Sequence, residues 1–116
     1  MTPAERRDRL LALEPAERRA ALARLGDRQR RALRHHWRLW ARPEQLAPET
    51  DWRLWLILAG RGFGKTRAGA EWVRAVADAD PDARIALVAA SLGEARAVMV
   101  EGESGLLAVC PPGRAP

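Results

Sequence analysis

The chain has 116 residues, enough for one small hydrophobic core, and its apolar (47%) and charged (30%) fractions are ordinary for a globular protein. This composition excludes a chain that is disordered throughout. It also excludes a membrane span, because no apolar run approaches the roughly 18 to 20 residues that a span needs. The N-terminal residues lack the pattern of a secretory signal. The sequence therefore predicts a cytoplasmic protein with no membrane partner, and its single cysteine, Cys110, excludes an internal disulfide.

The net charge of +5 is distributed unevenly along the chain. Residues 1–42 contain 12 arginines and 5 acidic residues, a net charge of +7, whereas residues 43–116 contain 8 basic and 10 acidic residues, a net charge of −2. A basic segment suits an anionic partner such as nucleic acid, but basic residues on amphipathic helices more often simply face solvent. The sequence leaves both interpretations open.

Three helices are predicted in the basic segment, over residues 2–13, 15–26 and 27–41. Thr2 and Glu5 have the spacing of a capping box, which indicates where the first helix begins. Apolar residues at helical spacing predict that the third helix is continuous: they are Leu33, Trp37 and Trp40.

The rest of the chain is predicted to form a βαβα unit after a proline-containing linker over residues 43–51. Its elements are a strand over 52–58, a helix over 66–79, a strand over 85–90 and a helix over 91–100. Both predicted strands are almost continuously apolar, which is typical of parallel strands covered on both faces. The predicted fold class is therefore α/β: an N-terminal helical segment (1–42), a linker (43–51) and an incomplete sheet with helices (52–116).

A glycine-rich stretch lies between the first predicted strand and the helix after it. It fits the phosphate-binding P-loop (Walker A) pattern, with alanine in place of the first glycine. The residues are Ala59, Gly60, Arg61, Gly62, Phe63, Gly64, Lys65 and Thr66. The glycines allow backbone N–H groups to surround an anion, and the helix that follows adds its positive end. Lys65 is the only lysine in the chain, and we expect its ammonium to contact the phosphates while the Thr66 hydroxyl contacts Mg²⁺. The alternative is a glycine-rich turn that binds no ligand.

Residues 37–112 resemble the large terminase subunit of tailed bacteriophages and gene transfer agents, the ATPase that packages DNA. The likeness rests on residues 40–46, 51–52, the P-loop with its continuation over 67–74, and residues 99–102 with 104–107. The resemblance implies the first part of a P-loop NTPase fold of the ASCE type, with ATP and Mg²⁺ as cofactors.

The resemblance also implies roles for single residues and for partners. Lys65 and Arg61 are the candidate catalytic residues, with Arg61 as a charge stabiliser near the γ-phosphate, and Thr66 is the candidate magnesium ligand. Gln45 resembles the glutamine that borders the adenine pocket in this class. The implied partners are double-stranded DNA, the small terminase subunit and the portal or procapsid, in an oligomeric motor formed by the full-length protein in the bacterial cytoplasm.

The acidic residues that hydrolysis needs are missing from the pattern. A P-loop ATPase places an Asp for Mg²⁺ and, in this class, a Glu for the attacking water on a later strand. The second predicted strand ends instead in Ala90 and Ser91. We therefore expect an N-terminal fragment that lacks the nuclease domain, binds nucleotide weakly and does not hydrolyse it alone. Two alternatives remain: another P-loop ATPase of the helicase or recombination type, and a non-enzymatic remnant whose basic helices bind nucleic acid or a partner.

Overall fold

The computed structural model describes residues 1–113, apart from the side chains of Pro3 and Ala4. The chain divides into two compact units, one formed by Met1–Arg42 and the other by the residues from Pro43 onward. Within the described residues there are seven α-helices, one 3-10 helix and one π-helix, but no β-strand. No helix in this part of the chain has both the length and the apolar character to cross a membrane.

The first unit consists of four helices. They are α1 (Pro3–Ala12), α2 (Pro15–Ala23), α3 (Asp27–Arg34) and α4 (Trp37–Trp40). The capping box predicted at the start of α1 is confirmed: the Glu5 N–H donates to Thr2 Oγ1 at 3.2 Å, and the Thr2 N–H donates to Glu5 Oε2 at 2.6 Å. Two backbone donors that helix formation leaves unpaired are thus satisfied reciprocally.

The prediction of one continuous third helix is wrong. Helix α3 ends at Arg34, and His36, with φ −83° and ψ 83°, lies outside the helical region before α4 begins. The Trp40 indole N–H donates to the Leu33 carbonyl at 2.8 Å across this break. The bend buries Leu39, which is 5% exposed. Burial of this leucine favours a bend that the spacing of the other apolar residues did not indicate.

The second unit is organised around the longest helix. Its elements are a 3-10 helix (Pro43–Gln45), α5 (Lys65–Ala79), α6 (Leu92–Glu94), which continues as a π-helix (Ala95–Val100), and α7 (Leu106–Val109). The buried core consists of Ala70 on α5 with Leu106 and Val109 on α7, and Leu87 packs against it. After α7, Cys110 is half-buried, and burial raises the pKa of its thiol, which suppresses the reactive thiolate.

The α/β prediction is wrong, because neither segment predicted as a strand forms one in the described part of the chain. A strand exists through ladder hydrogen bonds to a neighbour, and no backbone hydrogen bond within residues 1–113 joins these two segments. Instead, exposure alternates along 54–60 and 83–90, so that one face of each segment is half-buried and the other lies in solvent. Leu54 and Leu58 on the outer face are 83% and 85% exposed, which contradicts strands covered on both sides. Exposure that alternates with a period of two is what an extended backbone produces, but the apolar pattern supplies no pairing partner.

Candidate phosphate-binding site

Two glycines give the loop over residues 59–66 its shape. Gly62 and Gly64 have φ angles of +79° and +92°, in the left-handed region that residues with a Cβ adopt only under strain. Between them, the Phe63 N–H donates to the Gly60 carbonyl at 3.4 Å and closes a turn. Gly60 itself has no positive φ, so its backbone places no comparable demand on residue type. The backbone angles of the loop therefore require glycine at positions 62 and 64, but not at position 60.

The start of α5 offers backbone donors that no acceptor within residues 1–113 uses. Gly64 precedes the helix without a side-chain cap, and the first helical hydrogen bond runs from the Ala68 N–H to the Gly64 carbonyl at 2.9 Å. Among the described residues, no acceptor pairs with the N–H groups of Gly62, Gly64, Lys65 and Thr66. Because α5 is 15 residues long, the positive end of its dipole adds to these donors. This end of the helix is suited to an anion.

The side chain of Lys65 folds back along the loop. Its ammonium donates to the Ala59 carbonyl at 2.6 Å, so the charge lies near the start of the loop although Lys65 is the first residue of the helix. Lys65 is exposed, and no carboxylate in the described part of the chain pairs with it. The positive charge is therefore available to an anion that enters the loop.

Arg61 and Thr66 are both exposed, and neither side chain makes a hydrogen bond or an ion pair within residues 1–113. Arg61 lies at the tip of the turn, where its guanidinium is free to reach a ligand. Within the same residues, no group of three His, Cys, Asp or Glu side chains could hold a metal ion by itself. A magnesium ion at the Thr66 hydroxyl would therefore take its remaining ligands from phosphate oxygens and water, which is common for this ion.

Gln45 lies against the loop although it precedes it by many residues. It is 7% exposed, and its Nε2 donates to the carbonyls of Phe63 and Gly64 at 3.3 and 3.4 Å. The resemblance places this glutamine at the border of an adenine pocket, whereas the structure places its amide nitrogen on the backbone of the loop. Sequence reasoning missed this contact, since no local spacing connects the two positions.

A buried ion pair, also missed by sequence reasoning, holds the helix that carries the loop. Glu71 is 3% exposed and forms ion pairs with Arg67 at 2.9 Å and Arg74 at 3.6 Å. Arg74 also donates to the Val109 carbonyl at 3.1 Å, which ties α5 to α7. The i, i+4 and i, i+3 spacing of these charges is visible in the sequence and is the signal that could have identified the cluster. Its burial is not visible there.

A cavity of about 350 Å³ opens beside the C-terminal side of the loop. Lys65 and Thr66 lie at its edge, and apolar side chains such as Trp72 and Met99 form most of its wall. An apolar wall does not compensate the desolvation of a phosphate. Any phosphate site therefore rests on the loop backbone, Lys65 and the helix end, and not on this cavity.

No protein family, no curated protein and no solved structure matches this chain. The functional argument accordingly rests on the geometry of the loop and on the motifs in the sequence.

Proposed function

We propose that residues 59–66 bind the triphosphate of ATP. The observation that carries this proposal is the set of four N–H groups, those of Gly62, Gly64, Lys65 and Thr66, that no acceptor in the described residues uses at the positive end of a 15-residue helix. An anion bound to these N–H groups gains hydrogen bonds without displacing any backbone hydrogen bond of the described residues. The Lys65 ammonium, which no carboxylate of the described residues neutralises, and the left-handed backbone of Gly62 and Gly64 support the same conclusion.

In this proposal each residue of the loop has a distinct role. The backbone N–H groups bind phosphate oxygens, and the Lys65 ammonium exchanges the Ala59 carbonyl for the β- and γ-phosphates. Arg61 approaches the γ-phosphate from the tip of the turn. Mg²⁺, held by the Thr66 hydroxyl and the nucleotide, neutralises part of the phosphate charge. The sequence supplies no Asp and Glu pair for hydrolysis, so we expect these 116 residues to bind nucleotide without cleaving it.

We further propose that the site belongs to the ATP-binding part of a DNA-packaging ATPase of the large terminase subunit class. The motifs on both sides of the loop, at residues 40–46, 67–74 and 99–107, favour this class over helicase-type or recombination-type P-loop ATPases. The partners in that role are double-stranded DNA, the small terminase subunit and the portal or procapsid, in an oligomeric motor in the cytoplasm of a bacterial host.

Titration of a fluorescent ATP analogue with Mg²⁺ tests the proposal. We expect saturable binding by the native chain and a loss of at least about tenfold in affinity for Lys65→Ala, since the variant loses a charged contact. Arg84→Ala is a matched control, because it removes an exposed cation from outside the loop. Equal affinities for the native chain and Lys65→Ala, with both shown to be folded by circular dichroism, would contradict the proposal. Phosphate release, followed in parallel, checks the expected absence of hydrolysis.

A second candidate function, binding of nucleic acid by the first unit, is favoured by charge. Ten of the 12 arginines in Met1–Arg42 are exposed, against 5 acidic residues. Binding that depends mainly on phosphate contacts weakens steeply as salt rises. Titration of duplex DNA over a series of salt concentrations tests this function, and the absence of binding at the lowest salt would reject it. The charge-reversal variant Arg28→Glu on α3 should weaken DNA binding and leave ATP binding unchanged.

A further inference from the structure

Gln45 is one of only two buried polar or charged side chains within the described residues; the other is Glu71. A buried amide is costly unless its donors and acceptors are paired, so its hydrogen bonds fix its position. The Gln45 Nε2 meets this requirement through the carbonyls of Phe63 and Gly64. The side chain and the loop are therefore bound to each other through the loop's own backbone.

These two contacts, together with the hydrogen bond from the Ala68 N–H to the Gly64 carbonyl, fix which way the loop presents its N–H groups. A trans peptide is planar, and its C=O and N–H point in opposite directions. There is no cis peptide bond in the described chain. When the carbonyls of Phe63 and Gly64 face Gln45, the N–H groups of the same two peptide units, which belong to Gly64 and Lys65, point away from it. Those are two of the donors that have no partner among the residues that the structure describes.

Gly64 makes room for the Gln45 amide because it has no side chain. A Cβ at this position would collide with Gln45 Nε2 and would lie 3.6 Å from Gln45 Cδ. The approach of the amide therefore depends on the missing side chain, in addition to the positive φ of Gly64. Gly62 also has a positive φ, but a Cβ there would meet nothing within 4 Å. The close fit is specific to the glycine next to Lys65.

We infer that Gln45 is a positioning residue for the phosphate site: it holds the loop carbonyls on the outer side and turns the N–H groups of Gly64 and Lys65 toward the bound polyphosphate. This inference rests on the proposed phosphate-binding function. It differs from recognition of adenine, because a residue that orients the loop backbone acts on every polyphosphate ligand in the same way, whatever base is attached.

The test compares ATP, GTP and inorganic tripolyphosphate, each with Mg²⁺, on the native chain and Gln45→Met. Methionine nearly keeps the length and volume of glutamine but donates no hydrogen bond. We expect the variant to weaken all three ligands by the same factor, roughly tenfold for the loss of two modest hydrogen bonds. Weakening of ATP alone would overturn the inference in favour of a contact to adenine. Unchanged affinity for all three ligands would overturn it as well.

The variant Gln45→Glu adds a second measurement, the pH dependence of binding, which would not change if Gln45 only stabilised the fold. A protonated carboxyl group donates to a carbonyl, whereas an ionised one does not. The quantity to follow is the tripolyphosphate affinity of the variant divided by that of the native chain at the same pH. We expect this ratio to rise toward one as the pH falls from about 8 to about 5. A ratio that does not change with pH would overturn the inference, and this series decides the matter if Gln45→Met does not fold. Failure of the native chain to bind any of the three ligands would reject the proposed function itself, a different outcome from equal binding by native and variant chains.

Discussion

The loop with α5 and the two extended segments that flank them are determined by different physics. The loop takes its shape from residues that are close in sequence, through two left-handed glycines and the start of a helix. The extended segments, residues 54–60 and 83–90, are apolar enough for strands, yet they form none in the described structure. A strand needs a neighbouring chain segment, and local composition does not provide one. Local chemistry therefore predicts a turn better than it predicts a sheet.

The two regions also differ in how they are held. Helix α5 is fixed by the buried Glu71 with its two arginines and by the contact from Arg74 to Val109. Each extended segment has one half-buried face and one exposed face, and in residues 83–90 Leu87 packs against the core while Val88 beside it is 79% exposed. We therefore expect substitutions in the loop and in α5 to have large effects, and substitutions on the outer face of the segments to have small ones.

The largest effect is expected for Gly64→Ala. The substitution forces a side chain into the left-handed region, which costs about 1–2 kcal/mol, and it adds the collision with Gln45. Because the strain and the collision add, chemical denaturation should reveal a loss of more than about 2 kcal/mol in the free energy of unfolding, and ligand titration should reveal loss of polyphosphate binding.

The same loop supplies two matched controls for Gly64→Ala. Gly62→Ala introduces the backbone strain without the collision, so its effect should be smaller. Gly60→Ala introduces neither and should be close to neutral. If Gly60→Ala and Gly64→Ala proved equally stable and bound polyphosphate equally well, the loop would not be determined by the backbone angles described.

A somewhat smaller effect is expected for Glu71→Gln, which tests the helix and not the loop. Loss of the buried carboxylate removes the partner of Arg67 and Arg74, and we expect a destabilisation of about 2 kcal/mol. Asp78→Asn is the control, because its carboxylate pairs with Arg74 at 3.5 Å but is 48% exposed, and it should cost less than about 0.5 kcal/mol. Thermal and urea denaturation measure both. Equal losses in the two variants would contradict the importance of burial at Glu71.

The features that the sequence predicts correctly are those set by residues close together in the chain. The capping box at Thr2, the helix after the loop and the glycines with positive φ are set by neighbours a few residues away, and the local pattern indicates them. The contact between Gln45 and Gly64 joins distant positions, and the burial of Glu71 depends on how α5 packs against α7. Neither can be read from spacing. The strands were predicted from apolar composition, which reports burial on one face as readily as pairing in a sheet.

The smallest effect is expected for Val88→Ser, and it tests the extended segments most directly. Val88 is 79% exposed, so replacing it with the smaller, polar serine should change the free energy of unfolding by less than about 0.5 kcal/mol. Its neighbour Leu87 packs against the core, and Leu87→Ser should cost about 2 kcal/mol through loss of apolar burial.

Val88→Ser and Leu87→Ser thus form a matched pair of variants, on opposite faces of the same segment, whose stabilities urea denaturation can compare. In a parallel strand covered on both faces, both side chains would be buried and the two variants would lose similar stability. Similar losses would therefore contradict the one-sided packing described here and would support a paired strand in solution. A large difference between the two variants would support an extended segment that packs on the helices through one face.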